Sequence, residues 1–263
     1  MESGEAADVA IFVVCVALFV FYNVLYYFSS TVSHLLPPST ENLWRTGKHA
    51  RSLWAESMMS SPSEALLAVH TVRNLLISVA WFAAADSALI VAMLNILTNP
   101  SSIAQIEEYS ATDPITRGDS FMSVPVKISL ALSTLFISLL LFVQSARMAV
   151  HLGFLIRVVP DSAASNSNVP FRQFTVVLTQ RMNFQFSIGV RMLFAFVPLT
   201  FYAMLGTLAL LISTVVLLCL MIYLDVVTST TAAAWTMKNH EESVMEASIG
   251  VSVATTDFGN KRA

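Results

Sequence analysis

Charge is what this chain has least of. Asp, Glu, Lys and Arg make up 12% of its 263 residues, where a soluble domain carries about 25%. A water-soluble globule is thereby excluded, and the 56% hydrophobic content marks a chain built for a bilayer. A net charge of -3 gives no basic field, so nucleic acid is not expected as a partner. Cysteine is nearly absent. Cys15 and Cys219 both lie in apolar runs, where a thiol packs as a small hydrophobe, so no disulfide framework is indicated. The five histidines are scattered singly, and no His-x-x-x-His, P-loop, Gly-x-Ser-x-Gly or Cys-x-x-Cys occurs. The sequence therefore offers no catalytic residue, cofactor site or metal site, and an enzyme is not expected. A metal centre would need His70, His151 and Glu64 to converge in space.

What the chain has in quantity is apolar helix. A span needs about 20 apolar residues, and four stretches qualify: 9–28, 75–97, 126–150 and one within Met192–Leu224. The acidic start MESGEAAD lacks the basic flank of a signal peptide, so the first run reads as an uncleaved anchor. Near the ends of the third run, Lys127, Gln144 and Arg147 are placed to snorkel to the headgroups. The last run is uncharged for 33 residues, about 50 Å as helix against a hydrocarbon core of about 30 Å. One long helix covering 198–224 as its span, kinked near Pro198, is the preferred reading; a re-entrant or five-span arrangement is the alternative. The expected fold is all-α: an integral membrane four-helix bundle over residues 1–235, with a polar tail at 236–263 that lacks fixed structure.

Nine of the fourteen Lys and Arg residues fall in two segments, with Arg45, Lys48, Arg51 and Arg73 after the first span and Arg147, Arg157, Arg172, Arg181 and Arg191 around the third loop. The positive-inside rule puts both segments in the cytosol and predicts extracytosolic N- and C-termini. Within the first segment, LWRTGKHARSLWAESMM gathers Leu43, Trp44, Ala50, Leu53, Trp54, Ser57 and Met58 on one helical side. That pattern fits an amphipathic helix in the membrane interface, or a loop helix packed on the bundle. Ser61, Pro62 and Glu64 have the spacing of a capping box, and Pro170 can start a second cytosolic helical extension. Asp161–Asn168 reads as a linker, and Asn99-Pro100-Ser101 is a glycosylation triplet blocked by its proline.

Two constellations carry whatever chemistry there is. Asp86, in WFAAADSALIVAM, is the midpoint of the second span, where an aspartate costs about 2.5–3.5 kcal/mol of insertion that its apolar neighbours offset. Val79, Phe82, Ala83, Leu89, Ile90 and Met93 share its face, and Ala80, Ala84, Ala88 and Ala92 form a ladder opposite, expected to be the tightest helix contact. Arg73 is about 20 Å away along the axis, too far to pair with it. Its available partners are neutral: Ser129, Ser133, Thr134, Ser138, Thr207, Ser213 and Thr214. Asp86 is thus either an interhelical or oligomer contact or a proton- or cation-sensitive site on a transport path. The second constellation, Arg73, Asn74, Arg147, His151 and Arg191 with His34 and His70, gathers at the inner membrane face. It is either a pocket for an anionic headgroup or ordinary positive-inside anchoring.

HTVRNLLISVAWFAAADSALI, HLGFLIRVV and GVRMLFAFVPLTFYAMLG resemble landmarks of the membrane proteins grouped as domain of unknown function 599 (DUF599), in a plant-type member. Arg73, Asn74, His151, Gly189 and Arg191 match positions of those motifs. The resemblance implies a multi-span fold and no reaction. The expected function is a structural, interaction or oligomeric component of a plasma membrane or endomembrane; the alternative is a small proton- or cation-linked transporter or channel component using Asp86. The expected partners are the lipid bilayer, anionic headgroups and a second copy of the chain.

Overall fold

The computed structural model describes residues 3–28, 43–60, 65–116, 120–156 and 169–225. The regular elements among them are helices: α1 (Ser3–Phe28), α2 (Leu43–Ser60), α3 (Ala65–Thr98), α4 (Pro100–Ala111), α5 (Val124–Leu155), α6 (Val169–Leu205) and α7 (Thr207–Asp225). Five of them, α1, α3, α5, α6 and α7, are long and apolar enough to cross a membrane. Ser61, Pro62 and Glu64 of the capping box, His34, the linker at Asp161–Asn168 and the tail after Asp225 lie outside the described residues.

Contacts divide the chain into two units, Met1–Asn23 with Lys48–Cys219 and Val24–Gly47 with Leu220–Ala263. In the second unit Tyr27 meets Tyr26 and Trp44 edge-on, with ring centroids 5.1 and 5.2 Å apart. The first unit holds the three apolar clusters of the core.

The organising feature of the first unit is a seam. On α5, Ala131, Leu135, Ser138, Phe142, Ser145, Ala149 and Leu152, continuing to Ile156, are buried at intervals that alternate between four and three residues. On α6, Thr175, Thr179, Met182, Gly189, Phe196 and Ala203 follow the same repeat, its gaps filled by half-buried Phe186, Leu193 and Thr200. This is the knobs-into-holes repeat of a coiled coil, with many small residues that let the backbones approach. The Ser138 hydroxyl donates to the Gly189 carbonyl at 2.9 Å, and the Ser145 hydroxyl to the Met182 carbonyl at 3.0 Å. Seven residues forward on one helix correspond to seven back on the other, so α5 and α6 are antiparallel. Helix α3 joins along the same α5, burying Ala68, Val72, Val79, Asp86, Ile90 and Met93. Phe82 stacks on Phe142 at 5.6 Å and meets Phe186 edge-on at 5.5 Å, locking the three helices at one level.

A Cβ added at Gly189 would lie 2.9 Å from Cε1 of Phe142. Gly189→Ala should therefore cost about 1–3 kcal/mol by overpacking, read as a lower melting temperature in detergent. Phe142→Leu in the same chain should recover part of it. An unchanged melting temperature for Gly189→Ala would contradict the close approach.

Two sequence expectations change here. For the long apolar run the sequence favours one helix kinked near Pro198. Pro198 instead lies inside α6 without ending it, and the helix stops at Gly206, whose φ of 92° is the left-handed region open to glycine. The order of contacts fixes the direction of the chain beyond that glycine. Along α1, Asp8 meets Tyr202 and Asn23 meets Arg191, so α1 and α6 are antiparallel. Asp8 also meets Thr207 and Cys15 lies beside Thr214, so α1 and α7 are parallel. Helix α7 therefore turns back along α6. The run has room for this because α6 starts its apolar passage before Met192, through Arg191, which is buried rather than marking a boundary. Cys15 and Cys219 are both free thiols, Cys15 buried and Cys219 exposed.

The second change concerns α2. Its buried residues are Ala55, Met58 and Met59, with Trp54 half-buried, while Ala50 and Leu53 are exposed. The packed side is thus displaced from the expected stripe. Met58 and Trp54 join the apolar cluster of Val72, Ala149, Leu152 and Met182, which corresponds to the loop-helix alternative. At Asn99-Pro100-Ser101 the structure has a helix cap: the Asn99 side chain accepts from the Ser101 amide at 3.1 Å, and Pro100 opens α4.

Candidate functional site

Asp86 sits on the packed face of α3, at a seam position opposite α5, and is fully buried. Its neighbours are those read from the helical pattern: Val79, Ile90 and Met93 are buried with it, and Phe82, Ala83 and Leu89 are half-buried. The alanine ladder is the reverse of expectation. Ala80, Ala84, Ala88 and Ala92 are exposed, so the acid face and the tightest helix contact are one face. Of the neutral partners, Ser138 lies beside the Asp86 carboxyl. The Ser138 hydroxyl gives its one proton to Gly189, and neither oxygen of Asp86 has a hydrogen-bond donor among the described residues.

A second buried polar group, unforeseen from the sequence, lies at the opposite end of α5 from the basic residues. Asp8 of α1 is fully buried and accepts from the Ser120 hydroxyl at 2.6 Å, the Phe121 amide at 3.1 Å, the Tyr202 phenol at 3.0 Å and the Thr207 hydroxyl at 2.6 Å. Asp113 accepts from the Thr207 amide at 2.8 Å and the Thr116 hydroxyl at 3.1 Å. The Thr207 amide is one of the donors that the first turn of α7 leaves without an intrahelical partner, so Asp113 caps that helix. Lys127, also buried, holds its ammonium 4.1 Å from the centre of the Tyr202 ring and is attracted by both carboxylates. Lys127 is therefore buried inside a polar cluster, where the sequence suggested a snorkelling side chain. Each member has an innocent local explanation in the sequence. The one available signal was Gly206-Thr207 interrupting an apolar run too long for a single span.

Among the described residues, no three His, Cys, Asp or Glu side chains come together as a metal site would require. Two carboxyls that accept from protein donors, with one lysine over the Tyr202 ring, form a clasp joining α1, the segment before α5, α5 itself and the α6–α7 turn.

The basic candidates separate into two sets. Arg73, Asn74, Arg147 and His151 are exposed on α3 and α5. Arg191 stands apart: it is buried on α6, donates to the Asn23 side chain at 3.0 Å and lies 5.6 Å over the Tyr22 ring. It acts as a strut between α1 and α6.

Residues 13–230 match the family model described as protein of unknown function, DUF599. Neither a curated protein nor a solved structure matches the chain.

Proposed function

The chain belongs to the DUF599 family, and from that premise we propose that it is a structural or interaction component of a plasma membrane or endomembrane, without catalytic activity of its own. The observation that carries this reading is Asp86, fully buried in a three-helix seam, one turn of α3 from Phe82 of the aromatic cluster and one turn from buried Ile90. Polar groups in such seams fix register and partner choice. A proton- or cation-linked path through Asp86 is the other reading, and it needs water at a carboxyl that packing encloses.

Five crossings put the two ends of the chain on opposite faces. With the N-terminus extracytosolic, Lys238, Lys261 and Arg262 join the two basic segments in the cytosol, leaving Arg117 and Lys127 outside. This fits the positive-inside rule better than two extracytosolic ends. Exposed Arg73, Asn74, Arg147 and His151 then face anionic headgroups, and the exposed alanine row offers a close-packing surface to a second copy.

The test is flux. Full-length protein in sealed liposomes is expected to pass protons and potassium no faster than empty vesicles, and Asp86→Asn, which keeps the shape of the side chain, is expected to assemble normally. A flux that wild type supports and Asp86→Asn abolishes would overturn the reading. A protease-sensitive tag after Ala263 should be protected in right-side-out vesicles and one before Met1 cleaved.

A further inference from the structure

We infer that the basic end of the α3–α5 interface is a binding site for one anionic phospholipid, its acyl chain in a trough floored by Gly153 and its phosphate at Arg73. The inference rests on reading α3 and α5 as membrane spans with their basic ends at the cytosolic face. A groove of about 600 Å³ runs between the two helices, lined by Val69, Leu76, Val150, Gly153 and Phe154, with Arg73 on one wall. That volume is within the roughly 300–1,000 Å³ of small-molecule sites.

Its shape follows from the sequence. Gly153 has no side chain, and a Cβ placed there would meet only Val72 Cγ1, at 3.8 Å. Phe154, the next residue, is 70% exposed and stands as a wall. Val69 and Val150 are also exposed, so no part of the described protein covers these apolar surfaces.

The charge has one sign. His70 precedes Arg73 by one turn, and Arg147 is three residues before Val150, hence on the neighbouring surface of α5. No Asp or Glu occurs in residues 65–85 of α3 or 139–155 of α5. Another transmembrane helix laid in this groove would set apolar side chains against an arginine. A phospholipid answers both features with one molecule, because its tail is apolar and guanidinium binds phosphate through paired hydrogen bonds. Net negative headgroups are favoured over phosphatidylcholine, whose choline repels the same arginine.

The test is electron paramagnetic resonance of the full chain in phosphatidylcholine bilayers doped with spin-labelled phosphatidylserine, phosphatidic acid or phosphatidylcholine. Wild type is expected to immobilise both anionic lipids about fivefold more than phosphatidylcholine. Arg73→Gln should remove the headgroup preference while leaving tail immobilisation. Gly153→Leu should fill the trough and remove both, and Val150→Trp, at an exposed position, does the same from the other wall should Gly153→Leu fail to fold. Equal immobilisation of the three lipids by wild type, or a preference that survives both Arg73→Gln and Val150→Trp, would overturn the site. Preference for phosphatidic acid alone would narrow the ligand to the bare phosphomonoester and still support it. Failure of the membrane reading itself would look different: wild type would immobilise no lipid of any kind.

Discussion

Lys127→Met should lower the stability of the protein by about 3–5 kcal/mol, the cost of taking one partner from a buried ionic group. Methionine matches the length of the apolar stem, so packing of the stem changes little. What disappears is the ammonium that lies over the Tyr202 ring and is attracted by Asp8 and Asp113. Two carboxyls are then left in one buried cluster with no cation. The measurement is thermal unfolding in detergent of Lys127→Met alone and combined with Asp113→Asn. Removing a carboxyl along with the lysine should recover a good part of the loss, because the uncompensated charge is what costs. A snorkelling anchor would behave otherwise: Lys127→Met would melt like wild type, and Asp113→Asn would add only its own effect.

Gly206→Ala should be comparably damaging, for a steric reason. At a φ of 92° a Cβ is strained in itself, at about 1–3 kcal/mol. It would also lie 2.7 Å from an Asp113 carboxylate oxygen and 2.8 Å from the Asp113 Cβ. Asp113 cannot yield by swinging only its tip, since its Cβ is in the way. Moving it breaks the 2.8 Å bond that caps α7 at Thr207. The expected result is a variant that expresses poorly and elutes as aggregate on fluorescence-detected size exclusion. Asp113→Gly, which removes the Cβ as well as the carboxyl, should relieve the clash but leave both the strain and the uncapped amide, so the double variant should recover partially. Gly206→Ala with wild-type yield and melting temperature would mean that α6 continues into α7 as a single helix, as the sequence alone suggested.

These two residues show where sequence reasoning reached and where it stopped. The helical class and the residues sharing the Asp86 face were readable, because hydrophobic length and 100° periodicity are local properties. Which face of α3 meets its neighbour was not readable. In a bilayer both faces are apolar, so a ladder of alanines opposite an acid looks like the better packing surface, and only the partner helix decides. The turn at Gly206 was hidden because Arg191 looked like a membrane boundary. Its burial against Asn23 and Tyr22 lets α6 begin its passage earlier and leaves the rest of the run for α7. Asp8, Asp113 and Lys127 were invisible as a group. They come from three distant segments, and each has an ordinary explanation where it stands: an acidic terminus, an Asp-Pro turn, a lysine at a span edge.

The small residues of the seam tell the same story from the other side. Ser138, Ser145 and Gly189 look unremarkable one at a time, yet the two serines bond carbonyls seven residues apart on α6 and so define the register of the whole pair. Such bonds contribute about 0.6 kcal/mol each in membranes, too little to hold the helices together and enough to choose among alignments. Asp86 extends that polar layer to a third helix.

The enclosure of Asp86 is therefore the point on which the functional reading turns, and cysteine accessibility measures it directly. In a Cys15→Ala, Cys219→Ala background, Asp86→Cys in native membranes should resist a charged, water-borne methanethiosulfonate reagent and react fully once the protein is unfolded in detergent. Rapid labelling in the folded protein, at the rate of a cysteine placed in the exposed α4 position Glu108, would place water at the centre of the seam and contradict the account.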